Sequence, residues 1–97
     1  MRGKVFVSVP AAAMLDPVWS GHESALRVYC CLLFRVRTPE DSNEPIRFND
    51  IAEDLGCSWR SVRKAVKWLR EKELIITTWD EAAQAYRYAF PEGGRFA

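Results

Sequence analysis

Arg60, Arg63, Lys64, Lys67, Arg70 and Lys72 crowd into residues 59–72, where the sole acid is Glu71. That segment carries +5 while the whole chain carries +1, which leaves −4 for everything else. Cations at helical spacing hold an anion, and the anion that fits the length of a helix is nucleic acid. The bland reading of a charge run is a solvated face. Here, however, like charges recur at i, i+3 and i, i+4 (Arg60, Arg63, Lys64, Lys67), which costs roughly 0.2–0.5 kcal/mol per pair. A helix meant only for water would more naturally mix signs. Other chemistries lack their residues. One His and three Cys, two of them adjacent (Cys30, Cys31), give neither a zinc spacing nor a disulfide framework. Glu53 and Asp54 are sequential on a short helix and do not pair as acid and base. No nucleophile stands in a pattern with a base, and no glycine-rich phosphate loop is present. No enzyme activity, metal, cofactor or small-molecule substrate is expected.

The basic residues need an element to aim them. Ser58 to Leu74 reads as one helix with Ser58 at its N-cap, where the hydroxyl accepts a bond from a first-turn N–H. Val62, Ala65, Val66 and Leu69 recur at helical spacing and form one inward stripe. Arg60, Lys64 and Lys67 then fall opposite that stripe, with Arg63 and Arg70 on one shoulder. The segment in front, Asn49 to Leu55, reads as a short helix capped by Asn49, with Ile51, Ala52 and Leu55 inward. Gly56 can take the left-handed conformation that ends it, and Cys57 leads to Ser58. A helix, a tight turn opening on Gly, and a second helix with a basic outer face make a helix-turn-helix pattern.

The run F-N-D-I-A-E-D-L-G-C-S-W-R-S-V-R-K-A-V-K-W-L-R-E-K-E-L-I resembles the winged helix-turn-helix segment of bacterial and phage DNA-binding proteins. The shared features are an Ile-Ala pair, a Leu-Gly turn, a Ser cap, a basic recognition helix, and a Leu-x-x-x-x-Leu-Ile exit into a wing. The resemblance covers residues 46–90. Glu73 stands where that pattern often has Gly, so the exit corner is expected to form without a left-handed residue. The resemblance implies an α+β winged helix-turn-helix: a three-helix core with a small antiparallel sheet made of the wing hairpin and an N-terminal strand.

Taken in order, the 97 residues fit one domain over 1–97, with the helix-turn-helix at about 49–72 and the wing at about 74–90. Hydrophobic residues make up 48%, four of them Trp, enough for one core. No run reaches the ~18 apolar residues of a membrane span. The first residues lack the long apolar region of a signal peptide, and the cysteine usage suggests a reduced, cytoplasmic protein. Lys4–Val9 alternates as a strand. Pro10 opens a turn through Leu15, which Asp16-Pro17 breaks. Ser20-Gly21-His22-Glu23 reads as a capping box starting a core helix to about Arg37. Its inward stripe is Leu26, Tyr29, Leu32, Leu33 and Val36, widened by Ala25, Cys30 and Phe34. Thr38 to Pro45 is an acidic loop and Ile46–Phe48 a short strand. Leu74–Trp79 and Ala85–Phe90 form the wing strands, with Tyr86, Tyr88 and Phe90 on one face. The tip between them is acidic (Asp80, Glu81), and only Arg87 offers positive charge there.

Several residues have competing readings. Trp59 could stack on a sugar or touch a thymine methyl, but its angular position favours covering the core edge. Trp68 is expected to pack under the wing or the N-terminal strand. Trp19 and Trp79, if partly exposed, would suggest a protein interface. His22 reads as a surface residue and Cys57 as a small buried one. The expected function is sequence-specific binding of double-stranded DNA through Ser58, Trp59, Arg60, Ser61, Arg63, Lys64, Lys67 and Arg87. The resemblance extends loosely to phage and plasmid replication-initiator N-terminal domains and to small bacterial transcriptional regulators, so the implied settings are replication initiation or transcription regulation. A homodimer or a larger protein partner is compatible with this, and no membrane is involved. The alternative is a winged-helix protein–protein interaction module, which overall neutrality and the acidic tip support.

Overall fold

Among the described residues, three α-helices and a two-stranded antiparallel sheet make an α+β arrangement compatible with a winged helix. The computed structural model describes residues 16–36 and 43–91. The strand expected at Lys4–Val9, the turn through Leu15, the start of the acidic loop and the tail from Glu92 lie outside the described residues. Among the described residues no helix is long and apolar enough to cross a membrane.

Asp16-Pro17 starts an element. Pro17–Trp19 is a single 3-10 turn, and the Val18 N–H donates to Asp16 Oδ1 at 2.8 Å. Pro suits that first position because its fixed φ matches and its missing N–H is not needed. The capping box at Ser20–Glu23 does not form. The Ser20 N–H goes to Pro17 O, Gly21 turns left-handed at φ 76°, and His22 sits at the cap of α1 (Glu23–Arg35) without a side-chain bond. The preceding turn spends Ser20 before the helix begins. Ala25, Val28, Tyr29, Cys31, Leu32 and Val36 are buried, while Leu26, Leu33, Cys30 and Phe34 are half-buried. The inward face is therefore rotated toward Val28 and Cys31, because α2 (Phe48–Leu55) packs on that side. Two arginines of α1 hold α2 there. Arg35 Nη2 and Nε donate to Asp54 Oδ2 at 2.7 and 2.9 Å, and Arg27 Nη2 donates to Leu55 O at 2.7 Å. The second bond satisfies a carbonyl that the end of a helix leaves open, and a cation there complements the helix dipole.

Asn49 is not the cap of α2. Arg47 holds that position without a side-chain bond, and Asn49 lies inside the first turn. The cause is long-range. Ile46 makes an isolated antiparallel bridge to Tyr86, its N–H donating to Tyr86 O at 2.9 Å, so the chain stays extended to Arg47 and turns helical at once. The strand expected at Ile46–Phe48 thus reduces to one bridge. Gly56 ends α2 at φ 66°, with Cys57 N–H on Ala52 O at 3.0 Å and Gly56 N–H on Glu53 O at 3.4 Å, the paired bonds of a Schellman motif.

α3 (Trp59–Glu71) begins as its sequence dictates, with the Ser61 N–H donating to Ser58 Oγ at 3.2 Å. Val62, Ala65, Val66 and Leu69 are all buried against α1 and α2. Its exit repeats the Schellman geometry: Leu74 N–H reaches Leu69 O and Glu73 N–H reaches Arg70 O, both at 3.0 Å. Here Glu73 itself is left-handed, at φ 59°, against the expectation that the corner would avoid that conformation. Burial of Leu69 with Leu74 and Ile75 compels the turn, whatever residue stands at its pivot.

β1 (Ile76–Asp80) and β2 (Ala85–Ala89) pair in register from Ile76↔Ala89 to Asp80↔Ala85. Leu74 and Ile75, expected in the strand, are buried corner residues. Tyr88 is 1% exposed, Phe90 meets Tyr29 edge-on at 5.5 Å, and the sheet face bearing Tyr86 and Tyr88 looks inward.

Candidate nucleic-acid interface

An α-helix that buries one stripe must show the other to solvent, and on α3 that other side is cationic. Arg60, Arg63, Lys64, Lys67 and Arg70 are all exposed and, with Trp59, Val66, Phe48 and Tyr86, line an open concavity of about 600 Å³ between α3, the start of α2 and the hairpin. Among the described residues no acid lines it and none of its five cations is in an ion pair. With no acid paired to them among the described residues, an incoming anion meets the field of all five.

The concavity has an aromatic wall. Trp59 is 43% exposed, which corrects its expected role as a cover for the core edge; the Arg60 guanidinium lies over its ring at 5.5 Å. Tyr86 packs against Phe48 at 5.9 Å and against Trp79 edge-on at 5.0 Å, with the Arg70 guanidinium 5.9 Å over its ring. Arg70 also reaches Thr77 Oγ1 at 3.5 Å. A smaller hollow of about 230 Å³, lined by Arg47, Asn49 and Gln84, continues from the first and shares Phe48 and Trp59 with it.

The other flank of α3 is different. A concavity of about 500 Å³ lies between Ser61, Lys64, Ala65 and Trp68 and the start of α1, and Glu23 there offsets part of the charge. Lys64 borders both hollows. Trp68 packs with Trp19 at 5.8 Å and stacks on His22 at 4.3 Å, not under the hairpin. Trp19, expected partly exposed, is buried at 4% exposure; Trp79, at 46%, is exposed as expected. Cys57 is half-buried in its turn.

Of the residues expected to touch DNA, Trp59, Arg60, Arg63, Lys64 and Lys67 come together in the first concavity. Ser58 and Ser61 stand at the start of α3 outside it, their hydroxyls 3.0 Å apart and committed to each other and to the cap. Arg87 is not part of the site. It alternates with Tyr86 along β2 and so lies on the opposite face of the hairpin, beside Thr78 and Asn43. Its Nε sits 3.9 Å from Asp80 Oδ2, an ion-pair distance too long for a hydrogen bond. The alternation that put Tyr86, Tyr88 and Phe90 on one face already carried this result. Arg70, Phe48 and Tyr86 were missing from the expected site. Arg70 follows from Arg63 two helical turns on, whereas Phe48 and Tyr86 meet only through the Ile46–Tyr86 bridge, which leaves no local signal.

The acidic tip is tied into its own turn. Asp80 Oδ1 accepts the Ala83 N–H at 3.0 Å and Glu81 Oε2 accepts Trp79 Nε1–H at 2.7 Å. Among the described residues no three His, Cys, Asp or Glu side chains converge to hold a metal. Burial pushes the Cys30 thiol up. Burial, and then the Asp54 carboxylate, does the same to Cys31. Both stay protonated at neutral pH and neither is an activated nucleophile. Compared with known protein families, curated proteins and solved structures, the chain matches none.

Proposed function

We propose that this chain is a winged helix-turn-helix module that binds double-stranded DNA, with α2 and α3 as the helix-turn-helix, α3 as the recognition helix and β1–β2 as the wing. The observation that carries the reading is the set of five cations on the exposed side of α3, without an ion pair among the described residues, opposite a fully buried stripe. A helix so phased enters a major groove with Arg60 toward base edges and Lys64 and Lys67 near phosphates. Ser58 and Ser61 serve the cap, and Arg87 is left out of the contact set. Replication initiation and transcription regulation are the two settings that fit such a module, and a homodimer would place two copies of α3 on successive turns of the groove.

The reading of a protein–protein module rests on Trp79 and Ile76, at 46% and 49% exposure. Ile76 and Trp79 occupy opposite faces of the hairpin, and Trp79 adjoins an aromatic wall lined by five cations, a density of charge that the core of a protein interface ordinarily lacks. Duplex binding is the better supported. The test is fluorescence anisotropy with genomic duplex fragments at two salt concentrations. Neutralising four phosphates gives a slope of about −4 in log K against log salt, so a fourfold rise in salt weakens binding by about two orders of magnitude. No binding at low salt would end this reading.

A further inference from the structure

The cations explain attraction to any phosphate backbone, but they leave the aromatic wall without a use. A duplex keeps its base faces stacked inside, where Trp59 and Tyr86 cannot reach them. Yet Trp59 stands 43% exposed at the junction of two hollows, Tyr86 lines the larger one, and Trp79 extends the wall past Tyr86 at 5.0 Å. Each of the first two rings lies beside a guanidinium, Arg60 by Trp59 and Arg70 by Tyr86. Aromatic faces interleaved with arginines along a charged groove are the chemistry that holds single strands: phosphates go to the cations, and bases stack on the rings whatever their sequence.

Resting on the duplex reading, we propose that the concavity between α3 and the hairpin also takes an unpaired strand, so that the preferred ligand is a duplex that opens into single strand. One base stacks on Trp59, where the two hollows meet, and a neighbour lies against Tyr86. Arg60 then leaves the Trp59 face to the base while keeping its place at the base edges of the adjoining duplex, and Arg70 exchanges the Tyr86 face for the strand's phosphates. The exchange is favourable because a guanidinium over an exposed ring at these distances is held less strongly than a stacked base. Arg47, which lines the smaller hollow, gives the strand a further cation.

The test compares one labelled duplex, the same duplex carrying a short unpaired overhang on either strand, and the overhang strand alone, by anisotropy at fixed salt. The overhang is expected to tighten binding roughly five- to a hundredfold, the scale of one stacked base. Trp59→Ala should erase that advantage so that the two duplexes bind alike, and Trp59→Phe, which still offers a ring, should keep most of it. Melting curves of both variants establish that they fold. Equal affinity of the wild type for blunt and overhung duplexes overturns this inference and leaves the duplex reading standing. So does an overhang advantage that survives Trp59→Ala. Binding to the single strand with none to the blunt duplex supports a strand site in the concavity but overturns the duplex reading and, with it, the preference for a duplex that opens. A chain that binds none of the three DNAs, and self-associates in sedimentation through its exposed tryptophans, overturns both.

Discussion

Replacing Glu73 by Gly should stabilise the protein. The backbone there is left-handed at φ 59°, a conformation that crowds any Cβ against the following carbonyl and costs an L-residue roughly 1–2 kcal/mol. Gly escapes that cost but brings a freer unfolded chain, worth roughly 0.4–1 kcal/mol in the other direction. The Glu73 side chain is exposed and in no ion pair among the described residues, so nothing else is lost with it. Removing an acid from a helix C-terminus adds roughly 0.3–1 kcal/mol of relief. The net gain is about 1 kcal/mol. Gly56 supplies the mirror experiment, since it closes α2 with the same paired bonds at φ 66° and a Cβ there would meet nothing within 4 Å. Gly56→Ala should therefore lose about 1 kcal/mol from backbone conformation alone. Urea unfolding reads both as opposite midpoint shifts of a few tenths of a molar to about one molar, at an unchanged m of roughly 1–3 kcal/mol/M. Glu73→Gln separates charge from conformation and should recover only the electrostatic part. If Glu73→Gly proves neutral or destabilising, or if Glu73→Gln recovers the whole gain, left-handed strain at this corner is not what Glu73 costs.

Three other outcomes are expected. Lys67→Ala should weaken binding to all duplexes and make the salt slope shallower by about 0.9, as for one lost phosphate contact; an unchanged slope and affinity would remove Lys67 from the interface. Arg60→Ala should cost the preferred site roughly ten- to a hundredfold more than random DNA, the scale of a bidentate guanine contact, and equal losses at fixed salt would make Arg60 a backbone contact. Tyr88 is buried and its hydroxyl has no hydrogen-bond partner among the described residues; burial, and then Tyr86 beside it, raise its pKa well above the ordinary value. A raised folded pKa means that stability holds below the unfolded value of about 10 and falls as pH climbs past it. Tyr88→Phe should raise stability at neutral pH and flatten the alkaline loss, both read from melting curves, and a variant that melts lower would mean the hydroxyl is in fact satisfied.

The phase of α3 was legible because four apolar residues at helical spacing leave one way to bury the helix, and burial of Val62, Ala65, Val66 and Leu69 follows that spacing. Ser58 was legible for the same local reason. What escaped the sequence depended on partners far along the chain. Asn49 is a better cap than Arg47 by propensity, but the bridge from Ile46 to Tyr86 decides where α2 begins. Trp59 and Trp68 flank the same stripe, and only the placement of α1 and the hairpin determines that one is exposed and the other stacked on His22. Glu73 was misjudged because conformational preference was read without the demand that Leu69 and Leu74 meet. The five clustered cations were visible as charge, whereas the aromatic wall facing them exists only once residues 46–48 and 86 lie side by side.

The Ile46–Tyr86 bridge also sets how the surface opens. Its hydrogen bond, 2.9 Å long, ties the segment before α2 to the start of β2, with the whole of α3 in the chain between them. The hairpin therefore cannot lift away without releasing the start of α2, and Phe48 and Tyr86 part in the same event. Elements joined this way should open together and exchange their amide protons as one unit. The Ile46 amide is the natural reporter of that unit: its protection against deuterium measures the free energy of dismantling the concavity as distinct from unfolding the helical core, and a ligand seated between α3 and the hairpin slows its exchange without bonding to it.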